Sequence, residues 1–422
     1  MSILLLLLGP GSLKRERWLF LALGLLLSAT GGAVALRSPD DLTLAVLEAA
    51  GWIAVASGIA RLAFLALEIE RKLWGPLVQG LVRIALGIAI ADFAPESDQA
   101  LPGLLGVAML VNGFYQGASA SVIRYPRWGW FLASGLAHVG FGGLLLFRWR
   151  QAATWAVPLF LGGAIAILGL ATLRTALRVG RFLREENAGP AEEAVRYYLE
   201  FHVPRRFTEK YVSAAPAKDD DATRPHEDLL VHVWTPTAIA EAEGGAGLVS
   251  RYVAARDRQG GFAVGHAALQ MAPDVYISHC DGNPDAFTGA DEVWQTLRSR
   301  DNHGVFNESF EEEVAHYPMP TATLLFRKFR ADQLRVFWRR YRIVTDYNFT
   351  NRNCSVAVSM ALEAALVGSL AGSRSPLGIL SLLTRSELWI AHFIRWKARE
   401  MVWTPGMMLD YARALARLVE GR

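Results

Sequence analysis

Hydrophobic positions are distributed unevenly along this chain. Six apolar segments fall within the first 186 residues, and each is close to the ~20 residues that a helix needs to cross a bilayer. They cover about residues 18–36, 42–67, 73–93, 100–123, 128–147 and 154–177. They predict an all-α bundle of six transmembrane helices. The preceding run Ile3–Leu8 is too short to span, and Lys14 and Arg15 follow it without a small-residue cleavage site, so we do not expect a cleaved signal.

Glycines recur in these segments with a period of about 55 residues. Three series share this period: Gly24, Gly80 and Gly135; Gly32, Gly87 and Gly142; Gly58, Gly113 and Gly169. A fixed period of this length indicates a repeated unit. Small residues allow helices to approach closely in lipid. The pattern therefore predicts three copies of one helical hairpin.

Charge divides the chain in the same way. Residues 1–186 carry 16 basic and 11 acidic residues, whereas the remainder carries 27 basic and 29 acidic residues. Basic residues concentrate before the first segment, after the sixth and in alternate loops, with Arg37, Arg148 and Arg150 as exceptions. The positive-inside rule then predicts both termini on the cytoplasmic side of a bacterial inner membrane. Neither half has the basic stripe typical of nucleic-acid binding.

Residues 15–180, with six spans and three glycine-marked hairpins, resemble the HdeD-like acid-resistance membrane family of bacteria. The resemblance implies a membrane domain over residues 1–186 and brings no catalytic residues. Such a bundle also allows an oligomer. Six polar residues within the spans are explained by snorkelling or by hydrogen bonds inside the bundle, and without an acidic relay they do not favour a transporter. They are Glu48, Arg61, Arg83, Asn112, Gln116 and His138.

Residues 187–228 have the composition of a linker. Ala191–Phe201 predicts a short amphipathic helix with Tyr197, Tyr198 and Phe201 on the membrane surface. Residues 214–221 are polar and charged and predict a tether.

Alternating apolar and polar residues begin after the linker and predict an α+β domain over residues 229–372. We expect strands at 229–234, 261–271, 275–279, 312–315 and 322–326, a tight turn at 272–274, and helices at 331–344 and from Cys354 onward. Residues 373–422 predict a helical tail in which Trp389 and Trp396 lie near basic residues. That composition suits either an interfacial helix or ordinary packing on the domain.

Cys354 lies at the start of a predicted buried helix, directly after the N-cap residue Asn353. The helix dipole at that position lowers a thiol pKa, as a nucleophile requires. The chain has only one other cysteine, Cys280, so no disulfide framework is expected, and no metal site or cofactor is predicted either. A small buried hydrophobe is the alternative role for Cys354.

A thiol nucleophile needs an imidazole and a group that orients it. His266 and His279 fall on two predicted strands joined by a tight turn. We expect His266 as the base, His279 as its orienter, and the side chain of Asn353 with the Cys354 N–H as oxyanion donors. Each histidine could instead be a satisfied core residue, and Cys280 lacks the helix dipole of Cys354.

Three segments in order, Gly265–Leu269, Tyr276–His279 and Asn353–Ser355, resemble the circularly permuted papain-like thiol hydrolases, which include lecithin:retinol acyltransferase relatives and bacterial cell-wall amidases. The resemblance implies a hydrolase or acyltransferase that forms a thioester on Cys354. A membrane anchor suggests a lipid, acylated or membrane-associated substrate. The alternatives are a peptidase or amidase with the same site, or a non-enzymatic stress-response or scaffold protein.

Overall fold

The fold is taken from a computed structural model. It describes residues 2–15, 17–36, 48–49, 51–59, 62, 80–81, 83–85, 87–88, 100–123, 128–147, 149–182, 189–208, 225–236, 255–256, 262–282, 301–371, 381–400 and 402–421.

The N-terminal region is helical over nearly all of its described residues, with a kink at Gly9 inside the first helix. Helices α1 to α5 span Ser2–Arg15, Arg17–Leu36, Ala100–Val122, Trp128–Phe147 and Trp149–Phe182. Three stretches among the described residues are long and apolar enough to cross a membrane: Arg17–Leu36, Trp128–Phe147 and Pro158–Gly180. The second and third predicted spans, with Arg61, lie largely outside the described residues, so the count of six stays a prediction.

Pairs of glycines bring the membrane helices into backbone contact. In each pair, a Cβ atom added to one glycine would lie 2.6–2.8 Å from the carbonyl oxygen of the other, so a larger residue there would push the helices apart. The pairs are Gly58 with Gly80, Gly51 with Gly87, Gly106 with Gly142, Gly113 with Gly135, Gly31 with Gly162 and Gly24 with Gly169.

These contacts join neighbouring repeats rather than the two helices of one predicted hairpin. Residues of the second predicted span pack on the third, α3 packs on α4, and α2 packs on α5, the first span against the last. The same glycine register thus serves three equivalent interfaces. Gly31, rather than the predicted Gly32, makes the close approach in α2.

The short apolar run at the N-terminus is a core element of the C-terminal half. Ile3, Leu6 and Leu7 have no exposed surface, and they share one hydrophobic core with the strands and helices after residue 229. The N–H of Gly368 donates to the carbonyl oxygen of Leu6 at 3.0 Å, and Gly9 lies against Gly368 with φ +70°. The same core includes residues of all four predicted parts of the chain.

A six-stranded antiparallel sheet is the centre of the C-terminal half. The strands are β1 (Leu229–Trp234), β2 (Ala255–Arg256), β3 (Phe262–Ala263), β4 (His266–Met271), β5 (Val275–Asp281), β6 (Asp301–Phe306), β7 (Ala322–Phe326) and β8 (Asp346–Asn348). The large sheet has the order β7-β1-β4-β5-β6-β8, and β2 pairs with β3 separately. The predicted strands at 229–234, 275–279 and 322–326 and the turn at 272–274 are confirmed.

The remaining helices lie in the linker and around the sheet. They are α6 (Pro190–Tyr197), which continues as a π-helix over Tyr198–His202, α7 (Arg205–Thr208), α8 (Phe310–His316), α9 (Ala331–Tyr341), α10 (Cys354–Leu366), α11 (Ser386–Glu400) and α12 (Pro405–Glu420).

Two predictions about these helices are wrong. Residues 312–315 are helical, because Ser309 caps α8 by accepting a hydrogen bond from the N–H of Glu312 at 3.1 Å. Tyr197 and Tyr198 do not lie on a surface: they are 1% and 0% exposed, since α6 packs on α9 in the shared core.

A buried ion pair fixes the tail to the helix that carries Cys354. Arg395 on α11 and Glu363 on α10 are each 2% exposed, and two nitrogens of Arg395 lie 2.6 and 2.5 Å from the carboxylate oxygens. Tyr411 on α12 donates to the same carboxylate at 2.6 Å. The other face of α11 leaves Trp389, Phe393 and Trp396 exposed. The tail thus packs on the domain, and its interfacial role stays a prediction.

The tail also touches the bundle. Arg83 donates to the carbonyl oxygen of Thr384 at 2.5 Å, and the Lys397 ammonium lies 3.5 Å from the amide oxygen of Asn112. Two of the polar residues within the predicted spans therefore serve as attachment points for the C-terminal half.

Candidate thiol site at the start of a buried helix

Cys354 is the first residue of α10, as the sequence predicts. Asn353 is its N-cap: the side-chain oxygen accepts from the N–H of Val356 at 2.8 Å. Its amide nitrogen donates to the carbonyl oxygens of Phe349 and Trp403, both at 2.8 Å. Both side-chain N–H groups are therefore used, and Asn353 has none left for the oxyanion role that the sequence suggested. Its amide fixes the helix start against two loops.

His266 begins β4 beside this helix start. It is 8% exposed and Cys354 is 6% exposed, and the two side chains are close enough for each to shift the pKa of the other. The ladder between β4 and β5 extends only as far as the pair Ala268–Ser278. The backbone N–H of Ala267, beyond the end of that ladder, helps to lower the pKa of the Cys354 thiol.

Glu313 orients His266 from the opposite side. A carboxylate oxygen of Glu313 lies 2.8 Å from Nε2 of His266, and the side chain of Glu313 has no exposed surface. Ser278 donates to Glu313 at 3.0 Å and its hydroxyl lies 2.9 Å from the same Nε2. Asn307 donates to Glu313 at 3.1 Å, and Tyr276 also donates to it. Since Nε2 faces Glu313, Nδ1 is the ring nitrogen left for the thiol.

The electrostatics favour a charged pair at Cys354 and His266. Burial acts to raise the pKa of the Cys354 thiol, but the charge of His266 and hydrogen bonds from His266, Ser355 and the Ala267 N–H lower it below its usual value. Burial acts to lower the pKa of His266, but the two neighbouring thiols and hydrogen bonds to Cys354 and Glu313 raise it well above its usual value.

Glu313 remains ionised beside them. Burial acts to raise the pKa of this carboxyl, but hydrogen bonding and charge from His266, with the hydroxyls of Tyr276 and Ser278, lower it below its usual value. A thiolate, an imidazolium and a carboxylate in contact are the groups that nucleophilic catalysis by sulfur requires.

His279 lies away from this cluster, on the other face of the sheet. Its Nε2 lies 3.3 Å from the carbonyl oxygen of Thr345, and its ring stacks on Phe306 with centroids 4.4 Å apart. Burial, followed by the charge of Arg352, lowers the pKa of His279 to about 3, so this ring is neutral. The predicted orienting role therefore has no contact with His266 to support it.

The reason is the two-residue period of a strand. Ala268 pairs with Ser278, so His266 faces the same side as Ser278 and Cys280, whereas His279 faces the side of Ala267. The tight turn brings the two strands together as predicted, but the register places the two histidines on opposite faces.

Glu313 is the group that the sequence argument missed. The sequence Ser309 to Glu312 has the spacing of a capping box, although the Glu312 side chain accepts at 3.0 Å from the N–H of Glu308, one residue before the N-cap. That motif could have predicted α8 and an inward-facing glutamate. It could not have shown that Glu313 meets a histidine 47 positions earlier.

Cys280 lies within the same cluster but does not share the environment of Cys354. Burial is the main cause that raises the pKa of the Cys280 thiol above its usual value. Its sulfur lies 3.7 Å from the amide nitrogen of Asn307. His266, Cys280 and Glu313 are the described residues that could together hold a metal ion.

An exposed aromatic side chain borders the cluster. Tyr317 stacks on His266 with centroids 6.3 Å apart and is 45% exposed, and Met319, two residues later, is 68% exposed. Trp234 lies on the same ring with a centroid distance of 5.5 Å. A substrate approaching His266 would therefore meet aromatic and thioether surface first.

Comparison with known proteins identifies the membrane part. Residues 22–92 and 78–147 each match the family described as a short repeat of unknown function (DUF308). The N-terminal region carries DUF308 repeats. HdeD belongs to this family, so the predicted HdeD-like membrane character of the region is confirmed, and the offset of 56 residues between the two starts agrees with the glycine period. Neither a curated protein nor a solved structure matches the chain.

Proposed function

We propose that this protein is a membrane-anchored cysteine hydrolase or acyltransferase that forms a thioester on Cys354. The proposal rests on the buried ion pair of His266 with Glu313 at 2.8 Å, beside a Cys354 thiol whose pKa His266 lowers. A buried histidine that only fills space would not need a fully buried carboxylate and a thiol as its two partners.

The reaction uses the groups as they lie. The Cys354 sulfur attacks the acyl carbonyl carbon and forms a C–S bond while negative charge moves to the carbonyl oxygen. When the tetrahedral intermediate collapses, the bond to the leaving group breaks and protonated His266 gives that group its proton. Water or an amine then attacks the thioester, passes a proton to His266, and releases the acyl product and the Cys354 thiolate.

Backbone N–H groups at the start of α10 suit the oxyanion. The N–H groups of the first helical turn have no partner within the helix, and those of Cys354 and Ser355 lie beside the attacking sulfur. Asn353 contributes by fixing this turn through its three hydrogen bonds.

The order of the elements agrees with a permuted papain-like domain. The strand with the base, β4, precedes the helix with the nucleophile, α10, and α10 packs on β4 and β5 of the sheet. In this comparison Glu313 takes the place of the polar group that orients the histidine.

A lipid or acylated substrate fits the surroundings. Tyr317 and Met319 are apolar and exposed, and α11 presents Trp389, Phe393 and Trp396 beside its contacts with the bundle. These surfaces suit an acyl chain or a bilayer better than an extended polar peptide.

The thiol site belongs on the same side of the membrane as the N-terminus. Ser2–Leu8 packs in the core of the C-terminal half, and Gly368 and Leu370 hydrogen-bond to Leu6 and Leu7. An even number of spans must therefore separate the two, as six do. Together with the positive-inside rule, this packing supports a cytoplasmic location for both ends at a bacterial inner membrane.

The test compares the two cysteines in the full chain purified in detergent. Cys354→Ala should abolish labelling by a thiol-reactive acyl probe, whereas Cys280→Ala should retain it. Circular dichroism and the melting temperature of each variant show that it is folded. Labelling that persists in folded Cys354→Ala would reject the assignment.

The choice of acyl donor separates lipid chemistry from peptide chemistry. The proposal expects turnover of a lipid ester or of an N-acylated amine in mixed micelles. Turnover of a soluble peptide alone, with labelling still on Cys354, would make the protein a peptidase with the same site.

A further inference from the structure

Cys280 has no part in the proposed reaction, yet it lies in the same cluster as the base. It follows Ser278 by two residues on β5 and therefore faces the same side of the sheet as His266. The ligand atoms of His266, Cys280 and Glu313 all lie within 4.8 Å of one another. His266 and Glu313 are buried, and Cys280 is partly exposed, so an ion could reach the cluster past Cys280.

We propose that His266, Cys280 and Glu313 form a binding site for a thiophilic divalent cation, with Zn²⁺ as the best fit, and that the bound ion switches off the thiol site. The inhibitory part of this proposal rests on the proposed function, whereas the binding part does not.

The ligand chemistry selects the ion. Imidazole nitrogen, thiolate sulfur and carboxylate oxygen are the three kinds of side-chain ligand that Zn²⁺ takes, at distances of about 2.0–2.3 Å. In a tetrahedral site those bond lengths place ligand atoms roughly 3.3–3.8 Å apart. The ligand atoms of the cluster, all within 4.8 Å of one another, are therefore about 1 Å or less from the separations that a bound ion needs. Mg²⁺ and Ca²⁺ need more ligands, all of them oxygen, and a thiol offers them nothing.

Outer hydrogen bonds already orient the ligands. Ser278 and Asn307 donate to Glu313 at 3.0 and 3.1 Å, and the Asn307 amide nitrogen lies 3.7 Å from the Cys280 sulfur. Partners of this kind fix metal ligands in place and raise their affinity.

Binding and catalysis compete for one ring nitrogen. In the resting site, Nε2 of His266 faces the carboxylate of Glu313. A bound cation takes the Nε2 lone pair and the Glu313 oxygen, while Cys280 and the imidazolium each release one proton to solvent. His266 can then no longer exchange a proton with Cys354.

Cobalt reports on binding alone. Co²⁺ added to the full chain in detergent should give a thiolate-to-cobalt charge-transfer absorption band that Zn²⁺ removes by displacement. Cys280→Ser should lose the band and weaken Zn²⁺ binding at least tenfold. Cys354→Ala should keep the band. Absence of the band in the wild type, or a band that survives in Cys280→Ser and disappears in Cys354→Ala, would overturn the site.

Labelling reports on inhibition. Zn²⁺ should reduce acyl-probe labelling of Cys354 in the wild type, and a chelator should restore it, whereas Cys280→Ser should still be labelled at the same Zn²⁺ concentration. Equal inhibition of both proteins would overturn the regulatory role. A cobalt band in a wild type that no acyl probe labels would leave the metal site standing and reject the proposed function.

Discussion

The two faces of the six-stranded sheet place similar residues in opposite chemical states. On one face, His266 contacts a thiol and a buried carboxylate, and these contacts raise its pKa well above the usual value. On the other face, His279 is enclosed by aromatic rings, and burial lowers its pKa to about 3. Burial alone drives both pKa values down, so the partners on each face decide which imidazole can carry a proton.

The largest difference should come from exchanging each histidine for asparagine. His266→Asn removes the proton acceptor of the thiol, so acyl-probe labelling of Cys354 should slow by roughly 10²–10⁴-fold. His279→Asn should leave the labelling rate within about twofold and instead lower the melting temperature, because a buried polar group that loses its partners costs about 1–3 kcal/mol. Labelling kinetics and thermal unfolding of both variants measure the two effects.

Equal slowing in the two variants, with both still folded, would show that the faces are not chemically distinct. It would return His279 to the orienting role that the sequence suggested.

A smaller effect is expected at the carboxylate. Glu313→Gln keeps the shape but removes the charge that stabilises protonated His266, so labelling should slow by about 10–100-fold, since hydrogen bonds to charged groups contribute about 1.5–3 kcal/mol. Glu312→Gln is the matched control on the same helix. The side chain of Glu312 accepts a hydrogen bond from the N–H of Glu308, which lies outside the His266 cluster. If both variants label at the wild-type rate, Glu313 does not act through His266.

The smallest effect on labelling should come from the hydroxyl of Ser278, which lies between His266 and Glu313. Ser278 lies 2.9 Å from His266 and donates to Glu313 at 3.0 Å, so Ser278→Ala should slow labelling by about 2–10-fold, as the loss of one neutral hydrogen bond implies. Ser359→Ala, which removes a hydroxyl bonded to Val356 within α10, should leave the rate unchanged. A larger loss in Ser359→Ala would point to helix packing rather than to the His266 contacts.

Local patterns predicted much of this architecture. The apolar segments, the glycine period, most strands and the N-cap before Cys354 all follow from short stretches of sequence. Short stretches of sequence do not show which glycines pair with each other. The glycines of α2 meet those of α5 more than a hundred residues later, and the glycine contacts join spans of neighbouring hairpins rather than the two spans of one hairpin.

The candidate site shows the same limit. His266 and Cys354 could be named from their positions on a strand and at a helix start. The prediction for His279 was wrong by one residue of strand register. Because side chains alternate between the two faces of a strand, a shift of one residue places His279 on the face opposite His266. The role of Glu313 was not predicted, because the local sequence does not show which glutamate of a helix faces a distant histidine. The core position of Ile3–Leu8 was not predicted, because a short apolar run beside a span has the same composition whether it contacts lipid or a domain core.

The pH dependence of alkylation at Cys354 tests the central claim most directly. If His266 holds the thiol as a thiolate, the Cys354 pKa is lowered, and the alkylation rate should stay high as the pH falls below the usual range of a free thiol. In His266→Asn the inflection should move to higher pH, because burial alone then acts on the thiol. A wild-type profile that follows an ordinary or raised thiol pKa, unchanged in His266→Asn, would contradict the account.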